Sequence, residues 1–232
     1  MGLYSEELEG LNLDELEQQF ECNGDYSSFY DEVAQYIAAQ GASGLFYLKN
    51  VVEEDRMDVP QLRAAIWILG LQEEDPWYRE KLQTLLEDPR DLIVAEAVDG
   101  LARIKARDLR DTILQLRDHP SPYVRGSVLR YMSKLFPKEA PPMLIAALKD
   151  PHYIVKENAI DELDDLEYYQ ALPYIRPLLH NQHEDVLQAA ETAVENLSMV
   201  KEEREALARE KEVKKRSTPT QSHIAQPDST YL

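Results

Sequence analysis

The sequence predicts an all-α fold, a right-handed superhelical stack of paired helices. Three observations carry the prediction. Apolar residues recur at the spacing of one helical face, that face recurs about every 31 residues, and a proline recurs between successive faces at the same interval.

The first 41 residues stand apart from the rest. Residues 1–40 hold ten acids and no Lys or Arg. Two helices are expected there, Leu13 to Phe20 behind an Asn12/Glu15 capping pair and Phe29 to Gln40 behind Ser28, closed by Gly41. Phe29, Val33, Tyr36 and Ile37 give the second of them an apolar face. The open end of a helical stack exposes core, so residues 1–41 are expected to form an acidic helical cap; an acidic docking arm is the alternative.

Residues 42–200 carry the repeat. Gln61, Ile93, Val124, Val155 and Val186 mark it, with steps of 32, 31, 31 and 31. Four residues on stand Ala65, Ala97, Val128, Ala159 and Ala190, and eight on stand Leu69, Leu101, Met132, Leu163 and Val194. Offsets of four and eight keep side chains on one helical stripe. A second stripe precedes it: Leu82, Ile113, Leu144 and Ile175 eleven residues before the markers, then Leu85, Leu116, Ala147 and Leu178 eight before. Pro89, Pro120 and Pro151 fall between the stripes. Proline lacks an N–H and disfavours helix in the residue before it, so each is expected to end the first helix and begin the second. The fifth unit has Gln182 at that place. The units lie near 42–72, 77–106, 108–137, 139–168 and 170–199. Each pair is too small to bury its own apolar faces, and stacking supplies the common core.

The remaining elements are polar. Lys201 to Arg216, "KEEREALAREKEVKKR", reads as a charged, solvated terminal helix over 201–216, with Glu205/Arg209 and Glu210/Lys214 at supporting spacing. Residues 217–232, "STPTQSHIAQPDSTYL", read as a disordered tail.

The stretch "LLEDPRDLIVAEAVDGLARI" joins an Asp-Pro turn to V-x-x-x-A-x-x-x-L. It resembles the short HEAT-like repeats of the phycobilisome-lyase type, and the resemblance runs from about Leu45 to Val200. It implies an α-solenoid whose second helices line a concave face. It also implies two kinds of work: protein binding, or attachment and removal of bilin chromophores on antenna proteins. No residue here maps as catalytic for the latter.

Composition narrows the classes. The 232 residues include 44 acids and 25 Lys plus Arg, a formal net charge of −19. That excess opposes phosphate-backbone binding, so no nucleic-acid partner is expected. No run of about 18 apolar residues marks a membrane span. Glu6 stands where a myristoylation motif opening at Gly2 needs Ser or Thr. Cys22 is the single cysteine, which excludes an intrachain disulfide; an ordinary thiol and a cytoplasmic location are expected.

Catalytic signatures are lacking: no phosphate loop, dinucleotide fingerprint or nucleophile elbow occurs. His119, His152, His180 and His183 fall near the turns. Neighbouring turns about 10 Å apart are too distant to share one zinc ion, so solvated histidines and no metal or other cofactor are expected. The acids from Asp161 to Asp165 read as an exposed charged face. The candidate partner-binding residues are the non-core positions of the second helices: Trp67, Glu96, Asp99, Arg103, Arg130, Lys134, Asn158, Asp161 and Asp165. Two readings of them stay open. They form a groove for another protein, with Arg and Trp as anchors; or Arg130 bridges Asp99 and Asp161 between repeats, while Trp67 is buried on an all-round apolar helix. The expected function is a non-catalytic scaffold binding a partner on the concave face.

Overall fold

The computed structural model describes residues 4–22, 27–55, 57–72 and 76–217, and among them only helices and turns occur. The expectations about Gly2 and about residues 218–232 fall outside that range. The chain opens with α1 (Ser5–Leu8), α2 (Leu13–Glu21) and α3 (Ser27–Ala39). Five pairs follow: α4 (Ala42–Glu54) with α5 (Val59–Leu69), α6 (Pro76–Leu85) with α7 (Asp91–Arg103), and α8 (Arg110–Leu114) with α9 (Pro122–Leu135). The last two are α10 (Pro141–Ala147) with α11 (Tyr153–Asp165), and α12 (Leu172–Ile175) with α13 (Glu184–Ser217).

The second helices form one continuous row. α5 packs on α7, α7 on α9, α9 on α11 and α11 on α13, while α3 starts the row by packing on α5. The stripe four residues past the markers, Ala65, Ala97, Val128, Ala159 and Ala190, is fully buried throughout. Small or β-branched side chains at this place let neighbouring helices approach closely. The markers themselves are buried, including the one polar member: Gln61 Nε2 donates to the Phe20 carbonyl at 3.2 Å, tying the first unit to α2. Asn12 and Glu15 form the expected capping box on α2. α3 begins at Ser27, a residue before the expected cap, and Gly41 takes a φ of 76° between α3 and α4. A Cβ at Gly44 would overlap the Ile37 carbonyl, so glycine permits the tight crossing of α3 and α4.

Three expectations change in detail. The periodic prolines do not begin the second helices: the N-caps are Arg90, Ser121 and His152, so each proline sits one residue ahead of the cap. The turn is instead fixed by the residue before the proline. Asp88 Oδ1 accepts from the Arg90 N–H at 2.8 Å and Asp150 Oδ1 from the His152 N–H at 2.8 Å. His119 Nδ1 accepts from the Ser121 N–H at 3.1 Å, and Asn181 Oδ1 from the His183 N–H at 2.9 Å. This is side chain mimicking backbone in a turn, and it explains how the fifth unit keeps the shape with Gln182. Second, the first helices of units three and five are single short pieces that tighten into 3-10 turns, Gln115–Asp118 and Arg176–His180. Pro173 and Pro177 account for the fifth, since neither can donate. Third, α13 runs unbroken for 34 residues through the junction expected at 201. Within it Glu205 faces Lys201, while Arg209 donates to the Glu205 carbonyl, not the expected carboxylate; the Lys214 side chain lies outside the described ones.

Candidate functional site

The helices place the candidate residues on the outer side of the second-helix row. An open groove of about 690 Å³ runs there from α5 to the end of α11. Trp67, Glu96, Asp99 and Arg103 line its first half, and Arg130, Lys134 and Asp165 its second. Asn158 and Asp161 lie outside the lining. Ala102, Ser133, Pro137, Glu162 and Leu166 line it too and were not anticipated. Glu162 answers to a sequence signal, since it stands at offset seven and borders the buried stripe; Ser133, at offset nine, does not.

Arg130 is the hub. Its Nε and Nη2 donate to the two carboxylate oxygens of Asp99 at 3.0 and 2.6 Å, and Nη2 also to Ser127 Oγ at 2.8 Å. Its Nη1 donates to Asn158 Oδ1, and Asn158 Nδ2 donates in turn to the Ile154 carbonyl at 2.6 Å. One guanidinium thus joins three consecutive second helices. The bridge expected to Asp161 goes to Asn158 instead, because the residue at offset three of the next helix sits closer than the one at offset six. Arg130 and Asp99 are only part-exposed, 38% and 25%, so Arg130 is a structural tie as well as a groove wall.

Glu96 is the most buried charge in the groove, its side chain 9% exposed. Burial pushes its carboxyl up and Asp99 adds to this, while Arg103 and Arg63 act against them. Those cations stand 3.4 and 3.7 Å away. Trp67 is half-buried, packed on the core at the groove's first end, not covered on both sides as its helix suggested. Lys134 is exposed and forms no ion pair among the described residues.

The acids at the end of α11 depart furthest from expectation. Asp161 and Asp165 are exposed, but Glu162 and Asp164 are half-buried. Burial, then Glu157, Asp165, Glu162 and Asp164, push Asp161 up to about 6. Burial also raises Glu162 and Asp164, against hydrogen bonds from Ser133 and Asn196.

His180 is exposed as expected, but the other three turn histidines are engaged. His119 and His152 accept backbone N–H bonds, and the His183 ring stacks on Tyr153 with centroids 3.6 Å apart and planes at 11°. Tyr153 also stacks on His152 at 4.9 Å. An aromatic ring therefore bridges the last two turns where a metal would need converging nitrogens. No group of three or more His, Cys, Asp or Glu suited to a metal occurs among the described residues. Among the same residues, no helix is long and apolar enough to cross a membrane.

A row of stacked helix pairs whose turns are closed by an Asp, His or Asn side chain defines the class: an α-solenoid of HEAT-like repeats. A family model described as HEAT repeats matches residues 79–148, which span α6 to α10. No curated protein sequence matches the chain. Among solved structures, YibA of Escherichia coli is 18% identical with a TM-score of 0.60, covering 84% of this chain and 76% of that one. A designed armadillo repeat protein in complex with the peptide (KR)4 is 18% identical with a TM-score of 0.45, covering 83% and 97%. The CpcE–CpcF complex of phycocyanin lyase from Nostoc is 16% identical with a TM-score of 0.40, covering 81% and 95%. At these identities the likeness is one of fold.

Proposed function

We propose that the protein is a non-catalytic interaction scaffold that receives a segment of another protein in the second-helix groove. One observation carries this reading: a groove of about 690 Å³ whose charged walls are held in place by bonds between repeats. Side chains fixed before binding lose little rotamer freedom on contact, and this lowers the ordering cost of association. Within this reading α1–α3 cover the array's first end, with Leu16, Phe20, Val33 and Ile37 buried against it.

The test is affinity capture from a lysate of the source organism, comparing wild type with Lys134→Trp, which places bulk in the groove at an exposed residue and leaves the tie at Arg130 intact. A stoichiometric partner lost with Lys134→Trp, and retained by Tyr174→Ser on the first-helix side, is the expected result. A partner held equally by all three would remove the groove from the mechanism, and capture of none would remove the scaffold reading. A bilin-bearing antenna protein captured with the same groove dependence would recast the chain as a lyase-related subunit.

A further inference from the structure

The charges along the groove are unevenly matched, with Arg103 and Arg130 held and Lys134 without an ion pair among the described residues. Arg103 faces Glu96, and Arg130 is held by Asp99, Ser127 and Asn158. At the other end Glu162 and Asp165 of α11, with Glu203 of α13, form no ion pair among the described residues. Their setting is unfavourable for stability. The acids crowd the last turn of α11, which contains no basic residue and where the helix dipole is itself negative. Burial first, and then the neighbouring carboxylates of Glu157, Asp165, Glu162 and Asp164, raise the Asp161 carboxyl. Ser133 and Asn196 bond to Glu162 and Asp164, but no cation pairs with Glu162, Asp165 or Glu203 among the described residues, so this stretch offers unpaired negative charge to a partner.

Asp165 also lines a second cleft of about 520 Å³ between α11 and α13, with Asp164, Asn196, Met199, Val200 and Glu203 among others. Met199 is 57% exposed there. Val200 in this cleft and Leu166 in the groove, both half-buried, add apolar surface to each. Charge alone would attract any cation. Charge interleaved with an exposed thioether and a valine selects a segment that alternates the two characters, since a flexible Met adapts to varied apolar shapes.

We propose that the seam at Asp165, the residue both clefts share, docks a partner segment in which basic and apolar residues are interleaved. Its cations meet Glu162, Asp165 and Glu203, and an apolar side chain covers Met199 and Val200. This rests on the groove reading above and specifies the chemistry of the occupant.

The test uses the full chain and two labelled peptides of equal length, one alternating Lys and Leu, the other alternating Lys and Ser, followed by fluorescence anisotropy at physiological ionic strength. The Lys/Leu peptide is expected to bind about tenfold more tightly. Asp165→Lys/Glu203→Lys should weaken it by a further factor of about ten, whereas Glu80→Lys/Glu87→Lys, the same charge change on the first-helix side, should cost less than about threefold. Met199→Ser should erase the difference between the two peptides. Equal loss with both double variants, equal binding of the two peptides, or no binding of either overturns the proposal; circular dichroism establishes that each variant is folded. The groove reading fails separately: if peptides ignore the seam but Lys134→Trp still loses the captured partner, the groove stands and only its basic occupant is withdrawn.

Discussion

Arg125 clamps the third and fourth units together, and its removal has a calculable cost. Nε and Nη2 donate to both oxygens of Asp150 at 2.9 and 2.8 Å, and Nη1 donates to the carbonyls of His119 and Pro120 at 2.8 and 2.9 Å. The side chains of the pair are 15% and 14% exposed. Arg125→Met keeps most of the stem's packing but strands a mostly buried carboxylate and two carbonyls. Breaking a fully buried pair by deleting one partner costs about 3–5 kcal/mol; residual exposure here lowers that to about 2–3 kcal/mol. For a chain of this size each kcal/mol is worth about 2–4 °C, so Tm should fall by about 5–10 °C. Asp150→Asn keeps an acceptor for the His152 N–H and removes the charge, and a cycle of the two changes should show a coupling of about 1–2 kcal/mol. Hydrogen exchange should localise the loss to α9–α11, because a repeat array weakens at the interface that is cut. A change below about 0.5 kcal/mol, or strict additivity with Asp150→Asn, would refute the clamp.

Three further outcomes are expected. Arg130→Met should lower Tm by about 4–8 °C, and Arg130→Glu by more, since it sets a new carboxylate against Asp99; unchanged stability would show the three-helix tie to be idle. Lys105 and Glu167 close α7 and α11 in left-handed conformations, φ 58° and 49°, with Ala106 and Tyr168 N–H groups returning to Leu101 and Leu163; glycine at each should stabilise by about 1 kcal/mol in thermal melts, and a lower Tm would contradict the strain assigned to them. The raised Asp161 carboxyl favours the folded state fully below the ordinary carboxylate range and loses that advantage as pH rises through about 6. Asp150, where Arg125 and the His152 N–H outweigh the raising effect of burial, acts oppositely and loses its contribution only as pH falls through its lowered value. Melts should therefore show Tm rising as pH falls from 7 to about 5, with the rise diminished in Asp161→Asn; an unchanged slope in that variant would place the effect elsewhere.

The repeat was legible because its signal is local and redundant. Ala65, Ala97, Val128, Ala159 and Ala190 recur at fixed spacing, and only a buried helix–helix contact asks for that. The turns were half legible. Proline drew attention, but the residue before it, Asp88, His119, Asp150 or Asn181, makes the bond, and three residue types doing one job hide a single pattern. In the groove the offset rule brought Arg130 and Asp99 together correctly but chose Asp161 over Asn158, since a flat stripe ignores the stagger between adjacent helices. The raised carboxyls were invisible for a similar reason: burial at the end of α11 depends on α13 lying beside it, which no window on Asp161–Asp165 contains.

The unbroken course of α13 has a mechanical consequence. Its early turns pack on α11 and carry Met199 and Val200, and Arg204 secures its emergence by pairing with Glu167 at 2.8 Å and lying over Tyr169. Residues 201–217 then continue as a rod of about 25 Å, at 1.5 Å per residue. With no joint at the junction, a push or a load at the far end becomes a tilt at the cleft wall. The rod is a lever whose short arm is the side of the seam.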